Sequence, residues 1–420
     1  MHKKIPFIAV LLMCCLNAAL MRGQTPEEAS TTAQATVGER MAQFTDELNA
    51  APYMTGISIW DLTDDCAVYS YNSYKVLRPA STQKLLTAIS ALDLLGLKHE
   101  YKTQAFYDGT VEADSILHGN ITIVGDFDPM LSYDDIRDLV ANFSALGIKI
   151  IDGKIIGDDR MKEKELYGSG WCWDDVPCSS MPYLSPLMFD RGKMSPQSAT
   201  YSDNPAFHPT QWLVHVVDSL LQNNGIRHID ASNNIETNIR YCFYTCTRTI
   251  EDVLQNMMKN SDNLYAESMF YQLGNIVTPR GATYKNAAQI IESVIVNAEA
   301  SISGVKIADG SGVSLYDYVT PDVEVALLRH AYRNSHIFQP LYQALPIAGI
   351  DGTLSSRMQQ GNAYNNVHAK TGTVTGVSAL AGYVTMANGH LLAFSIINNG
   401  LLSTSTGKNL QDRICQALAE

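Results

Sequence analysis

Basic residues are scarce in this sequence, and they form no run anywhere. The 420 residues include 30 Lys and Arg against 43 Asp and Glu, which gives a formal net charge of −13 at pH 7. Proteins that bind nucleic acids neutralise phosphates with clustered basic side chains, so this balance argues against a nucleic-acid partner. Repeats and low-complexity tracts are also absent, and 46% hydrophobic with 17% charged residues is typical of globular domains.

Long apolar runs are absent beyond the N-terminus. There, Met1-His2-Lys3-Lys4 precedes an apolar stretch from residue 5 to about residue 20, and Met21-Arg22-Gly23-Gln24 follows it. Positive charge before a short apolar core is typical of a secretory signal peptide, which we predict at residues 1–23. An uncleaved membrane anchor is the alternative, although the stretch is marginal in length for a spanning helix.

Histidines are absent at zinc-ligand spacing around the cysteines. Six cysteines follow Gln24, namely Cys66, Cys172, Cys178, Cys242, Cys246 and Cys415. An exported protein can form disulfides, and the close pairs Cys172/Cys178 and Cys242/Cys246 could each close a small loop. Zinc ligation and free buried thiols are the other two interpretations, and spacing alone does not decide between the three.

The pattern of apolar residues predicts one domain made from both ends of the chain. Residues 56–62 and 67–71 alternate with period two and predict a hairpin, and a helix from Ser81 to about Leu95 follows it. Beyond about residue 249 the predicted elements are helices at 250–260, 263–273, 286–298 and 321–334, strands at 376–387 and 390–398, and a last helix at 407–418. We therefore predict an α/β domain formed by 24–97 and 246–420.

Residues 98–245 differ from both flanks. Short strands, such as 121–124 and 154–156, alternate with turns rich in Asp, Gly and Pro, and one helix is predicted at about 133–146. This stretch predicts an inserted, β-rich domain with its own small core.

The strongest functional signal is Ser81-Thr82-Gln83-Lys84, an S-x-x-K motif that opens an apolar helical run. Residues three apart on a helix lie on one face, so Lys84 is placed one turn above Ser81. A free serine is a poor nucleophile and needs an adjacent base, and burial lowers the pKa of a lysine so that it can act as one. The motif predicts Ser81 as nucleophile and Lys84 as its general base.

Two more motifs follow in the order that such an acyl-transfer site requires, Ser261-Asp262-Asn263 and Lys370-Thr371-Gly372-Thr373. Gly372 has no side chain, so we expect a substrate backbone to lie close against it.

The S-x-x-K motif and the Ser-Asp-Asn motif each have a second copy in the chain. Ser202-Asp203-Asn204 is followed at once by a proline, and the S-x-x-K copy at 405–408 contains a glycine in a setting that resembles a loop, so we prefer Ser81 and Ser261.

These residues resemble the active-site serine penicillin-recognising superfamily of D,D-peptidases and serine β-lactamases. The stretch between Lys84 and Ser261 is too long for a compact β-lactamase and resembles the D-alanyl-D-alanine carboxypeptidase/endopeptidase family (class C, type-4 penicillin-binding proteins), which carries a domain insertion there. Further matching segments are MKNSDNLYAE at 258–267, DGSGVS at 309–314, GIDGTL at 349–354 and HAKTGT at 368–373.

The resemblance implies a β-lactamase/transpeptidase-like domain with a central antiparallel sheet flanked by helices, plus the inserted domain. The insertion is shorter than in the largest members, so we expect one subdomain to be missing. In this fold the first hairpin packs on the last helix, which would make Cys66 and Cys415 neighbours. The family also places an acidic residue of the insertion near the substrate, and Asp128 matches that position, although an Asp-Pro turn is the alternative.

The resemblance further implies a role for each motif residue. Ser261 would relay a proton to the leaving amine, and Asn263 would bind the substrate amide and Lys84. Lys370 would attract the terminal carboxylate of the substrate. The hydroxyls of Thr371 and Thr373 would contact that carboxylate, and the backbone N–H groups of Ser81 and Thr373 would form the oxyanion hole.

The implied function is serine D-alanyl-D-alanine carboxypeptidase or endopeptidase activity on peptidoglycan stem peptides, with β-lactams as acylating inhibitors and with no metal or cofactor. The protein would be exported, to the periplasm or to the outer face of the cytoplasmic membrane. A serine β-lactamase, a general esterase and a non-catalytic penicillin-binding sensor are the alternatives. The large insertion argues against the first, and three intact motifs argue against the last.

Overall fold

The computed structural model describes residues 37–172, 174–175, 181–193, 208–229 and 239–420. The predicted signal peptide, Cys178 and the Ser202-Asp203-Asn204 copy lie outside these residues. Of the helices in the described part of the chain, none is both long and apolar enough to cross a membrane.

Thirteen strands are found in the described residues and form three sheets. They are β1 (Met54–Asp61), β2 (Cys66–Tyr71), β3 (Glu100–Asp108), β4 (Thr110–Val111), β5 (Ile116–His118), β6 (Ile121–Val124), β7 (Ile150–Asp152), β8 (Ile155–Asp158), β9 (Arg227–Ile229), β10 (Arg240–Thr249), β11 (His368–Val374), β12 (Val377–Thr385) and β13 (Leu391–Asn399).

The α-helices with assigned bounds are Thr45–Ala50, Gln83–Leu94, Tyr133–Ser144, Pro209–Asn223, Ile250–Lys259, Asn263–Val277, Tyr284–Asn297, Pro321–Arg333, Ser335–Ala344 and Thr404–Leu418. Short 3-10 turns precede the second helix, at Ala80–Thr82, and lie at Asp190–Gly192 and Gly352–Leu354.

A five-stranded antiparallel sheet, in the order β11-β12-β13-β1-β2, joins the two ends of the chain. Ile57 of β1 lies opposite Ile396 of β13. Strands β12 and β13 are buried along almost their whole length, because helices cover both faces of the sheet. The predicted α/β fold with a central antiparallel sheet flanked by helices is confirmed.

The two faces of this sheet pack against different helices. On one face, Ile57, Leu380 and Phe394 share a core with Leu410 and Ile414 of the last helix. On the other face, alanines of β12 and β13 and Tyr383 of β12 pack on the core of the helix Gln83–Leu94 and its neighbours. The helix that begins just after Ser81 is therefore held at the centre of the larger core.

Residues 100–249 form the other two sheets, in the orders β10-β3-β6-β8 and β4-β5-β7-β9. Both sheets combine antiparallel and parallel pairs, and a third hydrophobic core, with Phe143 and Leu213 at 0% exposure, lies between them and two helices. Strand β10 continues to Thr249, past the boundary that the sequence placed at residue 245.

Three local expectations are corrected. The segment containing Ser405 and Lys408 is the first part of the helix Thr404–Leu418 and not a loop. The helix Pro209–Asn223 was missed, although its proline stands at the first turn, where proline is tolerated. The helix Ser335–Ala344 was missed because Pro340 lies inside it, and there the burial of Ile337 and Leu341 outweighs the proline penalty.

The first hairpin and the last helix share one hydrophobic core, in which Cys415 is buried and against which Cys66 packs. Cys415 is nevertheless a free thiol, and burial raises its pKa far above the ordinary value. Cys242 and Cys246 are free thiols as well, so neither the Cys66–Cys415 nor the Cys242–Cys246 bridge is formed.

Candidate active site

Ser81 lies in a tight turn at the start of a buried helix. The turn Ala80–Thr82 leads directly into Gln83–Leu94, and Ala80 has a left-handed backbone with φ of 49°. Such a conformation is unfavourable for a residue with a Cβ and is often found at functional sites. Ser81 remains partly exposed while the residues on either side of it are buried.

Lys84 is fully buried, and its Nζ touches three oxygen atoms. These are Ser81 Oγ at 3.0 Å, Asn263 Oδ1 at 2.8 Å and the Ser311 carbonyl oxygen at 2.8 Å. A carbonyl oxygen accepts and cannot donate. A neutral lysine therefore donates its two N–H groups to Asn263 Oδ1 and to the Ser311 carbonyl oxygen, and its lone pair faces the Ser81 hydroxyl.

Burial lowers the pKa of Lys84 to about 8. Desolvation of the ammonium is the main cause, and the nearby carboxylates of Asp309 and Glu267 oppose it. At neutral pH a useful fraction of this lysine is neutral and able to accept a proton from Ser81.

Buried carboxylates hold the glycine-rich segment 309–314 against the catalytic helix. Asp309 accepts from the backbone N–H groups of Ser311 and Gly312 and from the Trp171 indole, and Glu267 accepts from Gly310 N. Gly312 has φ of +82°, and a Cβ there would lie 1.8 Å from the carbonyl oxygen of Ala80. The segment therefore supplies the Ser311 carbonyl oxygen to Lys84.

Ser261 occupies the short link between the helices Ile250–Lys259 and Asn263–Val277. Its backbone is left-handed, with φ of 57°. Asp262 caps the second helix through Leu264 N and pairs with Arg191 at 2.9 Å. These constraints place Ser261 within hydrogen-bond distance of Lys370 and Asn263 within hydrogen-bond distance of Lys84.

Lys370 connects the Ser261 turn to strand β11. Its Nζ donates to Ser261 Oγ at 2.7 Å and to the Thr371 carbonyl oxygen at 2.8 Å. The side chain is fully buried, and desolvation together with the charge of Lys84 holds its pKa well below the ordinary value.

Gly372 permits a close approach, but of the chain itself. A Cβ at this position would lie 2.6 Å from the Pro79 carbonyl oxygen and 3.1 Å from Ser81 N. Strand β11 is the edge strand of its sheet, and this glycine lets that edge pack on the Ser81 turn. This contact lies within the protein, and the expectation that a substrate backbone lies close against Gly372 stays a prediction.

An open cleft of about 280 Å³ lies over Ser81. We call it the serine cleft, and its lining residues are Ser81, Ser261, Thr353, Arg357, Thr371, Thr373 and Lys408. The structure thus brings the three motifs together in one cleft. Sequence reasoning missed Thr353, Arg357 and Lys408. The only signals for them were the segment 349–354, which contains Thr353, and the second S-x-x-K copy, which contains Lys408.

Asp128 does not reach the serine cleft in this structure. Its side chain is fully buried, its Oδ1 accepts from Met130 N at 2.8 Å, and Arg248 lies 3.7 Å from its Oδ2. Desolvation raises its pKa to about 6. The alternative interpretation, a carboxylate that closes the Asp-Pro turn, describes it correctly.

Within the described residues, one group of side chains has the spacing to hold a metal ion, namely Asp61, Asp64 and His390. None of them lines the serine cleft, and the His390 ring is hydrogen-bonded to Asp61 at 2.8 Å.

Comparison with known proteins gives consistent results. The model of the D-Ala-D-Ala carboxypeptidase 3 (S13) family matches residues 33–206 and 208–420. The chain is 25% identical over 402 residues to D-alanyl-D-alanine carboxypeptidase DacB of Haemophilus influenzae, covering 79% of this chain and 82% of the relative. It is also 25% identical over 494 residues to D-alanyl-D-alanine carboxypeptidase of Actinomadura sp. (strain R39), covering 98% and 90%.

The fold is similar to that of a solved structure. The crystal structure of penicillin binding protein 4 (dacB) from Haemophilus influenzae superposes with a TM-score of 0.78 at 22% identity, covering 90% of this chain and 99% of the other. A second structure of that protein, complexed with a β-lactam, gives a TM-score of 0.70.

Proposed function

The chain belongs to the D-Ala-D-Ala carboxypeptidase 3 (S13) family, and from that premise we propose that it is a serine-type D-alanyl-D-alanine carboxypeptidase acting on peptidoglycan stem peptides. The observation that carries the proposal is the contact of Lys84 Nζ with Ser81 Oγ, with the two other contacts of that nitrogen taken by carbonyl oxygens. A serine beside a neutral, oriented amine is an activated nucleophile.

Acylation begins with attack of Ser81 Oγ on the carbonyl carbon of the scissile D-Ala-D-Ala bond. The hydroxyl proton passes to Lys84 as the new C–O bond forms, and the carbonyl oxygen becomes an oxyanion. We assign its stabilisation to the backbone N–H groups of Ser81 and Thr373, and the 3.1 Å approach between a Cβ at Gly372 and Ser81 N supports this placement. Loss of one such donor costs about 10²–10³ in rate.

Expulsion of the terminal D-alanine breaks the C–N bond and requires a proton on the leaving amine. Ser261 is suited to this relay, because its hydroxyl oxygen is held by Lys370 and its own proton remains free to be donated. We assign contact with the terminal carboxylate to Thr371 and Thr373, which line the serine cleft together with Ser261. Water then cleaves the Ser81 ester and releases the shortened peptide.

β-Lactams would acylate the same serine, because their strained amide presents a carbonyl to Ser81 and their carboxylate occupies the place of the terminal carboxylate. This proposal is supported by the structure of the Haemophilus influenzae penicillin binding protein 4 complexed with a β-lactam. A serine β-lactamase shares the acylation step and differs in rapid hydrolysis of the acyl-enzyme, so the lifetime of the adduct separates the two functions.

The test is a time course of intact protein mass with benzylpenicillin. We expect a lasting adduct in the wild type and none in Ser81→Ala, while the matched variant Ser405→Ala, an exposed serine in the second S-x-x-K copy, behaves as wild type. Adduct formation in Ser81→Ala would reject Ser81 as nucleophile. Rapid penicillin hydrolysis without an adduct would reassign the protein as a β-lactamase.

We also propose that residues 1–23 direct export to the periplasm or the outer face of the cytoplasmic membrane. The sequence pattern of positive charge, apolar core and small residues supports this. Cell fractionation followed by N-terminal mass analysis tests it: an exported protein shortened by about this length is expected. Recovery of the full-length chain in the cytoplasm would reject the proposal.

A further inference from the structure

Lys408 is the lysine of the S-x-x-K copy that sequence reasoning had set aside. It lies in the second turn of the helix Thr404–Leu418. Its neighbour Gly407 packs tightly on the central sheet, because a Cβ there would lie 2.8 Å from Ser378 Cβ. Lys408 itself is half-buried and lines the serine cleft together with Ser81 and Ser261. The last helix of the chain therefore contributes a side chain to the cleft.

Besides Lys84, two other cations lie at or beside the serine cleft, and both already have partners: Arg357 lines the cleft, and Lys370 contacts the lining residue Ser261. Arg357 binds Asp412 through Nε at 2.9 Å and Nη2 at 2.6 Å, and the same nitrogen, Nη2, donates to the Lys408 carbonyl oxygen. Lys370 is fully buried, donates to two oxygens, and has a pKa held well below the ordinary value by desolvation. Neither group offers a full, free positive charge to an arriving ligand.

Lys408 differs from both. Among the described residues it forms no ion pair, and the carboxylate one turn further along the helix, Asp412, is bound to Arg357. Its ammonium has three donors and no fixed geometry, and the solvent-facing cleft lets it move. The whole chain carries a net charge of −13 and would repel an acidic peptide, so a local cation at the cleft has a large effect on binding.

We propose that Lys408 is a specificity-determining residue that binds a carboxylate on the leaving-group side of the scissile bond. The inference deepens the proposed function and rests on it, because that function assigns Ser261, Thr371 and Thr373 to the leaving group, and Lys408 lines the same cleft as these three residues. A substrate whose leaving residue ends in a free carboxylate gains a charge-assisted contact. A substrate with a neutral end gains none.

The experiment compares diacetyl-L-Lys-D-Ala-D-Ala with its C-terminal amide on the full protein. For Lys408→Gln we expect kcat/KM on the acid to fall about tenfold, as for loss of a charged hydrogen bond, and kcat/KM on the amide to change less than about twofold. Lys408→Arg should restore discrimination. Lys285→Gln, an exposed helical lysine elsewhere, should match the wild type on both peptides.

Salt gives a second readout that packing alone would not produce. High ionic strength, about 0.5 M, should weaken cleavage of the acid by the wild type much more than by Lys408→Gln, because it screens the charge.

Equal losses on both peptides, or an unchanged acid-to-amide ratio in Lys408→Gln, would overturn the inference while leaving the peptidase intact. Failure of the wild type to cleave either peptide and to form an adduct with benzylpenicillin would instead overturn the proposed function, and this inference with it.

Discussion

The pH dependence of acylation follows from the burial of Lys84. Because the pKa of Lys84 is lowered to about 8, its neutral fraction is about 10% at pH 7 and about 90% at pH 9. A general base acts only in its deprotonated form. The second-order rate of benzylpenicillin acylation should therefore rise about ninefold from pH 7 to pH 9, with a midpoint near pH 8. Intact-mass kinetics measures it.

Glu267 provides a test of the direction in which a neighbouring charge shifts the pKa of Lys84. Its pKa is raised to about 8, chiefly by desolvation, so it titrates in the same window as Lys84. Its negative charge raises the pKa of Lys84, and Glu267→Gln should move the midpoint of acylation to lower pH. If Glu267 were itself the base, the same variant would lose the pH dependence together with most of the rate.

Lys162 serves as the matched control. It is the other described lysine whose pKa burial lowers to about 8, and it donates to backbone carbonyls, including that of Leu184, outside the serine cleft. Lys162→Met should keep the midpoint near pH 8. A flat profile between pH 7 and pH 9 in the wild type, or a midpoint lost in Lys162→Met, would refute the assignment of Lys84 as base.

Three further outcomes follow from the packing. Gly372→Ala pushes a Cβ to 3.1 Å from Ser81 N and should slow acylation about 100-fold, with an unchanged circular dichroism spectrum. Glu324 is buried, and desolvation raises its pKa to about 7, so the free energy of unfolding of the wild type falls as pH rises from about 4.5 to 7. Glu324→Gln should remove that fall of about 3 kcal/mol. Urea unfolding at pH 5 and pH 8 measures the difference. Arg357→Ala strands the Asp412 carboxylate and should lower the free energy of unfolding by about 2 kcal/mol, without shifting the pH midpoint of acylation.

Local spacing was enough to predict the reacting pair. Ser81 and Lys84 are one turn apart on a helix, so their contact at 3.0 Å follows from helix geometry once the apolar run makes that helix. The period-two alternation of residues 56–62 and 67–71 likewise predicted β1 and β2, and the strands predicted at 376–387 and 390–398 correspond to β12 and β13.

The order of the motifs predicted that Ser261 and Lys370 would join the pair, but not how. Ser261 adopts a left-handed conformation that no sequence pattern predicts, and the close packing of Gly372 on the Ser81 turn was not predicted either. For Asp128, the sequence indicated the Asp-Pro turn but not the burial of the side chain. That burial beside Arg248 depends on how the strands of the insertion pair.

Sequence by itself determined the fold class, four strands of the central sheet and the Ser81–Lys84 pair, because these depend on periodicity and short-range spacing. Only the tertiary structure decided the chemical state of the site. Lys84 owes its acceptors to residues 179 and 227 positions away, and its lowered pKa to burial by the whole core. Lys408 lines the serine cleft because the last helix packs on the central sheet. Such contacts between distant segments produce no local pattern in the sequence, so the sequence alone does not predict them.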